Sequence, residues 1–329
     1  MFRHGNEKKN HGSHGHVHGI HNANIASTRE GIRAIQWSFI GLFMTALLQV
    51  IVVMHSGSVA LLADTIHNIG DAITAVPLLL AFKLLQKKPT KRFTYGYGRV
   101  EDLAGVFIVF IILISAIVAG YESIDRLMHP VEIKNVWAVI GASMIGFIGN
   151  EAVAILRIRT GKKMKSAALI VDGYHARVDG LTSLAVLFGA IGALLGYPFA
   201  DPIIGLLITA TIMKIVYDSG KTIFARLIDG VDPDIIDEIR HAVDHIPQVK
   251  DVTEIRARWL GHNLVGELNI TVDSQLSVES GHVVAVAVRD QLRNQLRHLE
   301  NVVIHVDPEN ASGEQHHIGS RSASSSARS

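Results

Sequence analysis

The sequence predicts a polytopic α-helical membrane protein, six transmembrane helices followed by a small cytoplasmic α+β domain of ferredoxin-like α-β-β-α-β order. Three observations carry that prediction. The 329 residues are 48% hydrophobic and only 19% charged, with a mean hydropathy of +0.29, too apolar for a soluble chain and too charged to be membrane throughout. Six runs of roughly 20 apolar residues, the length that crosses a hydrocarbon core, begin near Ile35, Ser58, Leu103, Val136, Ala167 and Phe199. After Asp229 the texture changes to mixed polar and apolar segments.

Residues 1–31 have no apolar core, so they are not a cleavable signal peptide, and their Gly- and His-rich composition predicts disorder. His4, His11, His14, His16, His18 and His21 are spaced for weak capture of cytoplasmic metal. The six spans occupy 32–228. Lys87, Lys88, Lys91, Arg92 and Arg99 follow the second span, and Arg157, Arg159, Lys162, Lys163 and Lys165 follow the fourth, while the alternate loops are nearly bare of Lys and Arg. By the positive-inside rule both termini face the cytoplasm, the chain being integral to a bacterial inner or plasma membrane. The basic residues form no single patch and the formal net charge is +1, so nucleic acid is not an expected partner.

In the C-terminal domain, 229–310, "DIIDEIRHAVDHI" and "VESGHVVAVAVRDQLRNQLRHL" have helical spacing, and "KDVTEIRARW", "LVGELNITVD" and "NVVIHVD" read as strands. Asp232 before Pro233 is a candidate N-cap. The helices are expected on one face of a small antiparallel or mixed sheet. The Ser-rich tail, 311–329, is again expected to be disordered.

The chemistry lies in a repeated pattern. The second span contains "ADTIHNIGDA", with Asp64, His67 and Asp71, and the fifth contains "VDGYHARVD", with Asp172, His175 and Asp179 at the same D-x-x-H-x-x-x-D spacing. Positions i, i+3 and i+7 share one helical face, and a His and an Asp four apart can reach a common point. Each copy is half of a chelate. Both histidines fall near mid-bilayer, so the two helices bring two imidazoles and two carboxylates together, a closed N2O2 set suited to tetrahedral Zn(II) and equally open to Cd(II) or Co(II). No cysteine is present to offer thiolate. Two ionised Asp buried in a membrane are tolerable when metal or protons occupy the site, and metal binding releases protons from its ligands. Asp64 and Asp172, one turn earlier, are read as groups that orient the imidazoles. No organic cofactor is implied, and zinc is the ion expected at the site.

These motifs, with "YGYGRVE", "GNEAVAILRIRTGKK", "ADPIIGL" and "VVIHVDP", resemble the cation diffusion facilitator family from Arg33 to about Pro308. The resemblance implies a homodimeric, proton-coupled exporter of divalent metal with its transport site at His67, Asp71, His175 and Asp179. A second metal site of some members has Phe93 and Tyr97 at its His positions here, so no metal is expected there. His282, His305 and Asp307 fall on ligands of a cytoplasmic regulatory site, in which Thr253 and Asn269 replace two His. Arg99 and Asp229 match a charged pair linking the two domains. Two rival readings are an intramembrane zinc hydrolase, which wants three ligands and an open position, and a passive metal channel or sensor.

Overall fold

The computed structural model describes residues 18–56, 76–129, 135–197 and 199–313. The helices are α1 (His18–Ser56), α3 (Arg99–Met128), α4 (Val136–Met164), α5 (Ala167–Leu194) and α6 (Ala200–Leu227), with a shorter apolar helix, α2, over Val76–Leu85. Among the described residues five helices are long and apolar enough to cross a membrane. The beginning of the expected second span, with Asp64, His67 and Asp71, lies outside the described residues. The start of α1 at His18 departs from the sequence reading, which placed disorder up to residue 31.

Helix ends follow from local chemistry. Ser166 caps α5, its side chain accepting from the Leu169 amide at 3.1 Å. Asp229 closes α6 in a left-handed conformation, φ 65°, with Gly230 N–H donating to Ala225 O at 2.7 Å, the hydrogen-bond pattern of a Schellman end. An aspartate tolerates that conformation better than most non-glycine residues.

Among the described elements α4 and α5 pack against each other most extensively. The approach is close because Gly173 has no side chain: a Cβ there would lie 2.6 Å from Ile158 Cγ1 and 3.1 Å from Arg157 Cβ. Ile35, Phe82, Ile108, Leu169, Ile212 and Ile223 anchor the apolar core that joins the helices of this half.

The C-terminal domain has the expected order: α7 (Pro233–Asp244), β1 (Asp251–Leu260), β2 (Asn263–Val272), α8 (Val278–Gln295) and β3 (Leu299–Pro308). Asp232 is the N-cap of α7, accepting from the Asp234 amide, with Pro233 at its first turn. β1 pairs antiparallel with β2, and β3, returning through α8, pairs parallel with it. Both helices contribute to the apolar core on one face of this mixed sheet, through Ile239 and Val243 of α7 and Val284, Val288 and Leu292 of α8.

Candidate functional site

On α5 the residues of the D-x-x-H-x-x-x-D motif fall as their spacing requires. Asp172, His175 and Asp179 lie on one face and are all buried, and His175 Nδ1 stands 3.8 Å from Asp179 Oδ1. An imidazole and a carboxylate thus converge in the middle of an apolar helix, where an uncompensated Asp costs about 2.5–3.5 kcal/mol on insertion scales. The partner half, His67 and Asp71 with Asp64, lies outside the described residues. Among the described residues no three His, Asp or Glu gather closely enough to hold a metal.

Asp172 has a partner that its spacing did not indicate. Instead of serving His175 alone, it is ion-paired with Arg157 of α4, Nη1 to Oδ2 at 3.1 Å, with both side chains essentially unexposed at 1% and 0%. Arg157 was grouped by sequence with the basic loop that fixes topology; it is instead an internal counter-charge. A second pair, Arg177 to Glu151, joins the same helices through two donors at 3.1 and 2.6 Å, the bidentate fork that suits guanidinium. α4 and α5 are therefore stapled by two ion pairs.

Arg99 and Asp229 are ion-paired as the motif indicated, and Arg99 Nη1 also donates to Arg226 O at 2.6 Å. Sequence reasoning missed a more deeply buried joint beside them. The β1–β2 turn, with Gly261 at φ 63°, inserts against the first turn of α3, where Glu101 and Asp102 are both buried. His262 Nδ1 lies 2.7 Å from Glu101 Oε2, the His262 amide donates to the same oxygen at 3.2 Å, and the Gly261 amide donates to Asp102 at 3.2 Å. Arg226 of α6 completes the socket, donating to Gly261 O at 3.2 Å and stacking over Trp259 at 4.5 Å. The hairpin tip is thus held by acidic side chains of α3 and the guanidinium of Arg226 on α6.

Burial acts to lower the His262 pKa, but the adjacent Glu101 carboxylate outweighs it, and the ring stands above its ordinary 6.5. A folded-state value above the unfolded one means that the stabilisation is fully present below the unfolded value and is lost as pH rises through the folded one. The melting temperature lost in His262→Gln should accordingly be larger at about pH 6 than at about pH 9; a loss that grows with pH would contradict the ion pair.

In the C-terminal domain His305 Nε2 and Asp307 Oδ1 are 2.8 Å apart, and His305 sits beside Asn269 in the sheet register. Asn269 in turn donates to Glu254 at 3.3 Å. His282 does not join them into a metal-binding group: α8 turns Gly281, Val284 and Val288 to the core and leaves position 282 exposed. Thr253 is the extra residue at a register shift in β1. The rings of Phe93 and Tyr97 pack at 5.0 Å. His18 opens α1, whereas His11, His14 and His16 lie outside the described residues.

Residues 35–228 match the model of the cation efflux transmembrane domain, and 231–309 match that of the cation efflux protein cytoplasmic domain. The chain belongs to the cation efflux family. It is 50% identical over 284 residues to a probable cation efflux system protein of Mycobacterium tuberculosis, covering 86% of each chain. It is 29% identical to the manganese efflux system protein MneP of Bacillus subtilis, over 76% of this chain and 87% of that one. It is 27% identical to the magnetosome protein MamB of Magnetospirillum gryphiswaldense, over 87% and 96%. This cation efflux protein is a multi-pass membrane transporter of divalent metal cations and not an enzyme, which removes the hydrolase reading.

Proposed function

We propose that this cation efflux protein exports zinc in exchange for protons, by alternating access around His67, Asp71, His175 and Asp179. The observation that carries the proposal is the convergence of His175 and Asp179, 3.8 Å apart and buried on one face of α5, with an identically spaced twin in "ADTIHNIGDA". Two nitrogens and two carboxylate oxygens favour a borderline cation such as Zn(II) over harder ones. Protons replacing the metal keep the site neutral in either loaded state, and this is the physical basis of the exchange.

The two ion pairs between α4 and α5 let that helix pair move as one body about the site, as rocking transporters require. The chain acts as a homodimer with both termini in the cytoplasm, and His282, His305 and Asp307 of the cytoplasmic domain are the candidate contacts for regulatory zinc, His305 and Asp307 standing 2.8 Å apart and position 282 exposed on α8. The buried His262–Glu101 joint and the Arg99–Asp229 pair transmit the state of the cytoplasmic domain to α3 and α6. Proteoliposome flux over a panel of zinc, cadmium, cobalt, manganese and iron tests the metal. Zinc is expected to move fastest, and manganese moving fastest, the ion named for the Bacillus subtilis relative, would overturn the assignment.

A further inference from the structure

Along α5 the positions of His175, Asp179, Thr182, Val186 and Gly189 recur at steps of four and three and so form one stripe. Beyond Asp179 the stripe opens into a cavity of about 110 Å³, lined by Thr182, Ala185 and Val186 of α5, Ser123 and Arg126 of α3, and Asp201 of α6. Thr182, which lines the cavity, lies one turn beyond Asp179 on this stripe, its hydroxyl donating back to the Asp179 backbone carbonyl at 2.8 Å. At the far end Gly189 makes room for a carboxylate: a Cβ there would lie 2.3 Å from Asp201 Oδ1. The separation of Gly189 from Asp179 along the helix is roughly 15 Å at ~1.5 Å per residue.

The far end carries charge of both signs. Arg126 Nη1 donates to Asp201 Oδ2 at 3.0 Å and Nη2 to Glu122 Oε1 at 2.5 Å. This cluster lies at the membrane face opposite the C-terminal domain, since the first turn of α3 and the last turn of α6 hold the β1–β2 hairpin, whereas Arg126 ends α3 and Asp201 begins α6.

We propose that this cavity is the release path of the transport site and that Arg126 is its charge gate, a reading that rests on the site proposed above. While the guanidinium bridges Glu122 and Asp201 it occupies the partly buried Asp201 carboxylate and repels a departing dication across a short, partly desolvated distance. A dication that reaches Asp201 competes for that carboxylate. Arg126 then retreats onto Glu122, which is more exposed than Asp201 (58% against 17%), so the guanidinium keeps one carboxylate partner throughout the swing. Departure of the ion into solvent lets the bridge close again.

The absence of cysteine from the chain makes the test direct. Ala185→Cys introduces one thiol in the cavity, and a membrane-impermeant cationic methanethiosulfonate is applied to sealed proteoliposomes from each face. From the face opposite the C-terminal domain, labelling is expected to be slow with Arg126 present, about ten-fold or more faster in Arg126→Gln, and slow again in Arg126→Lys, in keeping with the effect of a focused charge on the approach of a cation. An Arg126→Gln rate equal to that with Arg126, or labelling from the domain face alone, would overturn the gate. Thr182→Cys repeats the test should the first thiol perturb folding. Metal flux measured with Asp179→Ala in the same background keeps the two readings apart: persistent flux sinks the transport site, while the labelling rates still decide the gate.

Discussion

Alanine at Asp179 is expected to bring zinc flux into proteoliposomes down to the level of protein-free vesicles while the purified protein keeps its elution position and melting transition. The reason is local. Asp179 is buried beside His175 at 3.8 Å, and in the proposed site it supplies one of the carboxylates that neutralise the dication. The loss should exceed that of any substitution outside the ligand set, because an N2O1 site holds one negative charge against two positive. Near-normal flux in Asp179→Ala would refute the site on α5. Asp71→Ala is the matching test of the half-site on the second span.

The largest effect on stability is expected at Arg157. Its side chain and that of Asp172 are almost wholly removed from solvent and stand 3.1 Å apart, so each is the other's principal counter-charge. Arg157→Met deletes the cation and leaves the carboxylate buried, a change that typically destabilises by about 3–5 kcal/mol. Replacing both, as Arg157→Met with Asp172→Leu, removes the stranded charge and should recover most of that loss, because apolar pairs of similar volume commonly match a buried ion pair. Thermal melting in detergent of the two single variants and the double variant measures it. A double variant no more stable than Arg157→Met would show that Asp172 is compensated elsewhere.

The parts of the fold governed by local rules were legible in the sequence. Apolar length gave the spans, Asp232 and Pro233 marked the start of α7, and period-two alternation marked the strands. The shared burial of Asp172, His175 and Asp179 on α5 was legible for the same reason, since D-x-x-H-x-x-x-D spacing places side chains on one helix face. The N-terminal reach of α1 was not, because the segment from His18 is rich in His, Asn and Gly and shows no apolar period. Arg157 was misread because a basic residue near the end of a span looks the same whether it marks topology or neutralises a buried acid. Only the position of Asp172 on the neighbouring helix separates the two. The His262–Glu101 joint spans 161 residues of sequence, and the one local signal for it was an acidic pair, Glu101 and Asp102, at the mouth of an otherwise apolar helix. The Arg126 bridge to Asp201 was hidden likewise, its two partners belonging to different spans.

The claim that protons and zinc exchange at one site is tested most directly by imposing a pH difference across proteoliposomes at equal zinc concentration inside and out. The account predicts net zinc movement toward the acidic compartment, reversed in direction when the pH difference is reversed, and absent in Asp179→Ala. Zinc movement that ignores the pH difference and only follows its own gradient would contradict it.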